Sequence, residues 1–144
     1  MGEMSKSDRR TSVILNYLSA VVIAAVVDMR GTLGWGALPV ILAACGALAL
    51  GLATFIRVFW RTRLWKITHA GFRGLDERQV QVVYGALRNS YSIFAIVCLV
   101  ILYVNSVLET GHIPILVAAL VLYLAHTLPA AVLAWTEREI LTGS

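Results

Sequence analysis

LDERQVQVVYGALRNSYSIFAIVCLVILYVNSVL, residues 75–108, passes from a charged cluster into hydrocarbon with no proline or glycine pair to mark a boundary. Its last twenty residues, Asn89–Leu108, contain no Asp, Glu, Lys or Arg. Three other stretches share that property, Thr11–Val27, Gly31–Ile56 and Ile113–Thr136, of 17, 26 and 24 residues. All lie near the roughly 20 residues that carry an α-helix across a bilayer core. A soluble bundle would need a polar face on each helix, and none of these runs supplies one. The expected fold is therefore all-α: an integral membrane four-transmembrane-helix bundle forming a single domain over 1–144. The helices are expected at about 11–29, 36–60, 77–108 and 113–136, with a cytosolic connection at 61–76.

Composition agrees, with 59% apolar and 14% charged residues against about 25% charged in soluble domains. The first run follows Lys6, Arg9 and Arg10, as a signal peptide would. The following AAVVDMRG lacks the small residue expected just before a cleavage point, so a retained helix is the reading. With both termini cytosolic, eleven of the twelve Lys and Arg residues fall on the inner side and only Arg30 on the outer. That asymmetry satisfies the positive-inside rule and predicts a multi-pass protein of the inner membrane. The net charge of +4 then reflects topology and attraction to anionic lipid. A nucleic-acid role would require an exposed basic domain, and the chain has no room for one.

The second and fourth runs align at an offset of 75 residues: Gly36 with Gly111, Pro39 with Pro114, Ala43 and Ala44 with Ala118 and Ala119, Trp60 with Trp135. A tandem duplication of a two-helix hairpin would give this pattern, and so would two helices meeting the same interfaces. In the second run Ala43, Ala47 and Gly51 form one small-residue stripe and Cys45, Ala49 and Ala53 another. Such stripes permit close helix approach, so this helix is expected at the centre of the packing. Cys45 and Cys98 lie in apolar runs without a C-x-x-C pair and read as small hydrophobes.

The connection interleaves Arg57, Arg61, Arg63 and Lys66 with Trp60 and Trp65. Cations that snorkel and indoles that settle at headgroup depth make these the lipid-headgroup candidates. Simple topological anchoring would select the same residues. After two glycines, Asp76 and Gln79 have the spacing of a capping box. The apolar positions Val80, Val83, Tyr84, Leu87, Tyr91, Phe94, Ala95 and Cys98 then continue one helical stripe into the third span. Asp76 to Leu108 is 33 residues, about 50 Å of helix against a hydrocarbon core of about 30 Å. Roughly three turns should project. Arg73, Asp76, Glu77, Arg78, Gln81 and Arg88 on that projection are candidates for docking a partner; a solvated, well-capped helix start is the plainer alternative.

Within the membrane His126 is the ionisable group near a span centre, three residues before Pro129. It could handle protons or bind an axial position of a haem or chlorin. A neutral imidazole donating one hydrogen bond near a proline-freed carbonyl explains it more simply. Asn105 and Asn16 are the other candidates for a polar path. Asn105, Glu109 and His112 could meet Asp28 at the outer rim, and Asn16, Tyr17 and Ser19 are expected to hydrogen-bond between helices. No catalytic pair and no metal-ligand set converge, and no cofactor is assigned.

Two small four-helix families fail on their motifs. The membrane-embedded Glu of small multidrug exporters has no counterpart in the first span. Where the membrane glutathione transferases carry R-A-x-x-N-x-x-E, residues 85–92 read GALRNSYS, with Gly85 for Arg and Ser92 for Glu. The LDERQ segment, Leu75–Gln79, resembles uncharacterised small prokaryotic four-helix membrane proteins with a D-E-R cytosolic motif. That resemblance covers five residues and implies no activity. The expected function is non-enzymatic: an accessory, assembly or regulatory subunit contacting lipid and partner helices, as a homo-oligomer or in a larger membrane complex. A small oligomeric transporter or channel, and a haem- or chlorin-binding subunit through His126, are the alternatives.

Overall fold

The structure is a computed structural model that describes residues 4–34, 36–69, 75–108 and 113–136. It is all-helical: α1 Lys6–Leu33, α2 Ala37–Phe55 continued by a π-helical turn Ile56–Trp60, a short α3 Leu64–His69, α4 Glu77–Val107 and α5 Ile115–Thr136. The four long helices are each apolar and long enough to cross a membrane. Helix α1 starts earlier than charge alone suggested. The Ser5 hydroxyl accepts from the Asp8 amide at 3.1 Å, and Asp8 complements the positive helix end. Three cations in the first turns do not oppose helix formation, because Lys and Arg are good helix formers. At its other end Gly34 adopts φ 63°, the left-handed cap that glycine tolerates.

At the start of α4 the sequence expectation is met in full. The Asp76 carboxylate accepts from the Gln79 amide at 2.6 Å, and the Asp76 amide donates to Gln79 Oε1 at 3.3 Å. The helix then runs unbroken to Val107. Its buried face, however, is centred on Val83, Ala86 and Ser90, while Tyr84 and Tyr91 are 67% and 75% exposed. The expected stripe is thus rotated. Small side chains lie where α5 packs closely, and the tyrosines are left outward.

The helices pack in the order α2, α1, α5, α4, and α4 reaches the others principally through α5. The inner positions therefore belong to α1 and α5, not to the small-residue helix α2 expected there. The reason is polar. Buried Asn16 and half-buried Tyr17 of α1 find partners on α2 and on α5, whereas Ala43, Cys45, Ala49 and Ala53 of α2 remain exposed. The α1–α5 seam has no counterpart of like extent between α4 and α2.

The core lies at the basic end, where α1 and α4 begin and α2 and α5 finish. Val13, Val58, Phe59, Leu64, Val83, Ala86, Ala130, Ala131, Leu133 and Ala134 form one buried cluster, with Met4, Leu75 and Ile67 against it. Among the described residues Val40 is the buried hydrophobic side chain of the opposite half. The α1–α2 contact nearer the basic end depends on Gly51. A Cβ there would sit 2.7 Å from Ser19 Oγ, while one at Gly46 would meet nothing within 4 Å.

These two glycines should respond oppositely. Gly46→Ala is expected to raise thermal stability in detergent by up to about 1 kcal/mol through helix propensity. Gly51→Leu should lower it by about 1–3 kcal/mol through overpacking. Equal responses at the two positions would contradict the close approach of α1 and α2.

Candidate functional site

A buried polar cluster linking three helices is built around Asn16, which is 1% exposed. Its Nδ2 donates to the Gly51 carbonyl at 2.9 Å and to Thr54 Oγ1 at 3.2 Å. Its Oδ1 accepts from the Tyr123 hydroxyl at 2.6 Å. Thr54 donates onward to the Leu50 carbonyl at 2.8 Å. Beside it Thr127 gives its proton to the Tyr123 carbonyl at 2.9 Å, so the Tyr17 hydroxyl donates to Thr127 Oγ1 at 3.1 Å. Both Asn16 donors and its acceptor are engaged, and α1 is tied to α2 and α5. Asn16 and Tyr17 act between helices as expected. Ser19 instead donates to the Asn16 carbonyl of its own helix at 2.7 Å.

The other two polar-path candidates do not join this cluster. His126 sits on the exposed side of α5, and its Nδ1–H donates to the Leu122 carbonyl one turn back at 3.3 Å. Helix α5 continues through Pro129 to Thr136. Asn105 donates to the Ile101 carbonyl of its own helix at 2.8 Å. Each has thus been given a local backbone acceptor. Glu109 and His112 lie outside the described residues, so the outer-rim grouping does too. Both cysteines are free thiols.

On α4 the docking candidates Asp76, Glu77, Arg78, Gln81 and Arg88 are all exposed; Arg73 lies outside the described residues. Glu77, Gln81, Tyr84, Arg88 and Tyr91 recur at four- and three-residue spacing, which puts them on one face. This face carries charge and aromatic surface together.

The lipid-headgroup candidates divide into two groups. Arg57 and Arg61 are exposed on the outside of the turn. Trp60, Arg63, Trp65 and Lys66 line a cleft of about 570 Å³ together with His69. Sequence reasoning missed His69, although its four-residue spacing from Trp65 was there to be used. It also missed α3, whose six residues are too few to give a clear helical period. The local fold makes the cleft. The wide π-turn, closed by the Arg61 amide on the Ile56 carbonyl at 2.9 Å, buries Val58 and Phe59 and turns Trp60 outward. Arg63 then takes φ 59°, a conformation that costs a non-glycine residue roughly 1–2 kcal/mol. Trp65 is held edge-on by Phe55 at 5.3 Å and stacked on His69 at 3.9 Å.

Two further basic residues were read only as topology signals. Arg9 is 2% exposed, a guanidinium taken into the core end. Arg10 lies 4.8 Å over the Trp135 ring and donates to the Trp135 carbonyl at 3.3 Å, stapling the start of α1 to the end of α5. An interfacial Trp and a juxtamembrane Arg were both visible in the sequence, but their pairing across 125 positions was not.

Fold and sites together define a class, the all-helical multi-pass membrane proteins. Comparison with protein-family models, curated proteins and solved structures finds no match.

The hub should be measurable as stability. Interhelical hydrogen bonds in membranes average about 0.6 kcal/mol and reach about 1.7. Tyr123→Phe should cost within that range and Asn16→Leu about 2 kcal/mol, with the double variant short of the sum. His126→Ala should stay within about 0.5 kcal/mol of the parent. Unfolding in a mild detergent gives all four values.

Proposed function

We propose that this chain is a non-enzymatic accessory, assembly or regulatory subunit of a prokaryotic inner membrane, working as a homo-oligomer or within a larger membrane complex. The observation that carries the reading is the face of α4 bearing Glu77, Gln81, Tyr84, Arg88 and Tyr91. It is exposed on the most peripheral of the four long helices, and α4 makes its main contact with α5 alone. Tyrosine and arginine are, with tryptophan, the side chains enriched at binding hot spots. A fully engaged Asn16 hub and locally bonded His126 and Asn105 offer less to a transport path or a prosthetic group.

The orientation belongs to the same reading. Both termini face the cytosol, as does the basic end with Lys6, Arg57, Arg61, Arg63 and Lys66, while Arg30 faces outward. The first turns of α4 then stand in the cytosolic headgroup layer, where a soluble or membrane partner can reach them. The tandem hairpin remains part of the proposal for the chain's origin, on the matched prolines and tryptophans of its second and fourth spans.

Reporter fusions at either terminus should be active only on the cytosolic side, and a reporter inserted after Arg30 only on the other. In mild detergent the parent chain should run with a second polypeptide or as an oligomer. Tyr84→Ala combined with Arg88→Ala should release that assembly while thermal stability holds. A chain that runs as a lone monomer when extracted from native membranes would overturn the reading.

A further inference from the structure

We propose that the cleft between the end of α2 and α3, lined by Trp60, Arg63, Trp65, Lys66 and His69, is a binding site for a phosphate group. That chemistry is shared by an anionic phospholipid headgroup and a soluble phosphate ester. The inference does not depend on the partner-subunit reading, since it concerns a different face of the molecule.

The chain that forms the cleft supplies no anion of its own: residues 36–69 contain no Asp or Glu, yet carry Arg57, Arg61, Arg63 and Lys66. Among the described residues Arg63 and Lys66 have no ion pair. An ordinary solvated loop mixes both signs, and one that serves only topology needs no cleft. Here two of the cations face a concavity of about 570 Å³. That volume far exceeds a single carboxylate and suits a phosphate with a glycerol-sized substituent.

The donors match a tetrahedral anion. Arg63 offers a guanidinium fork, which suits phosphate oxygens bidentately, and Lys66 offers a mobile ammonium. His69 completes the lining with an oriented acceptor. Its Nδ1–H is committed to the Trp65 carbonyl at 2.9 Å, and Nε2 has no partner among the described residues. The imidazole is further fixed by its stack on Trp65. With Nδ1–H so committed, Nε2 is an acceptor and can take a hydrogen bond from a phosphate P–OH or an ester hydroxyl.

The backbone shows that this turn is not the simplest one available. A π-turn and a left-handed Arg63 occur within eight residues. Glycine at position 63 would hold the same turn with less strain, so the guanidinium is retained at a cost. The turn is pinned by the Thr62 hydroxyl on the Val58 carbonyl and by Leu64, which is 1% exposed. The indoles of Trp60 and Trp65 place the cleft at headgroup depth, where a lipid phosphate would meet it without leaving its layer.

The test uses the full chain in phosphatidylcholine nanodiscs, read by tryptophan fluorescence and thermal shift. One arm adds phosphatidylglycerol or phosphatidic acid to the discs; the other adds glycerol 3-phosphate or inorganic phosphate to the buffer. A saturable response in either arm, weakened at least tenfold by Arg63→Gly and by Lys66→Gln, supports the site. A response in the lipid arm alone assigns the phosphate to a headgroup, and one in both assigns it to a soluble ester as well. Arg57→Gln and Arg61→Gln, outside the cleft, should shift the midpoint less than twofold. Arg63→Gly keeps the turn with less strain, so an unchanged or raised melting temperature separates lost binding from misfolding; should it not fold, Lys66→Gln carries the test alone. No response in either arm, or equal weakening by all four substitutions, overturns the proposal.

Discussion

The amide of Asn16 is the constraint on which the helix arrangement depends. In hydrocarbon the apolar side chains of one helix gain nothing over lipid by meeting those of another, so contact area alone does not choose partners. An amide does choose. Its two donors find the Gly51 carbonyl and Thr54 on α2, and its oxygen finds Tyr123 on α5. Any rotation of α1 by one residue would break all three. The bonds set rotation and depth rather than supplying most of the stability, since their sum is only about 2 kcal/mol at 0.6 kcal/mol each. Gly51 is coupled to the same choice, because its missing side chain lets α1 come close enough for its carbonyl to be reached.

From that hub the uneven distribution of packing follows. Toward the basic end the helices enclose a cluster of Val58, Phe59, Leu64, Leu133 and Ala134 that α3 covers from one side. Toward the opposite end Val40 is the buried hydrophobic side chain among the described residues. The difference has a physical origin. Near the headgroups water competes for apolar surface, so the hydrophobic effect operates and a core resembling that of a soluble protein is worth forming. Deeper in the bilayer that drive disappears, and helices without polar pairs have little reason to close up.

The parts of this structure that were legible in the sequence are those that depend on neighbours within a few residues. Uncharged length gave the four spans, and the Asp76–Gln79 spacing gave the start of α4 to within a residue. The unread parts are long-range or rest on exceptions to regular geometry. Asn16 and Tyr123 are separated by 107 positions and Arg10 and Trp135 by 125, and no local pattern selects such partners from several equivalent residues. The π-turn and the left-handed Arg63 break the helical period that sequence reading relies on. The expectation for α2 failed for a different reason: small residues permit close approach but do not require it, whereas a buried amide requires partners.

The same contrast separates the sites. Groups satisfied inside the fold, such as Asn16, Tyr17 and Thr127, have their hydrogen-bonding capacity matched by residues that packing already brings together. Removing them would loosen the structure and reveal little about a ligand. At the basic end the balance is reversed. Trp60 is 67% exposed, Arg63 sits in a disfavoured conformation and His69 holds one ring nitrogen toward open space. A turn built only for stability would relax the second of these with a glycine, while the exposed indole is also what an interfacial tryptophan supplies at a membrane helix end. Local irregularity that opposes the fold's own preferences, and that gathers donors of one charge, is better explained by something outside the chain than by the chain itself.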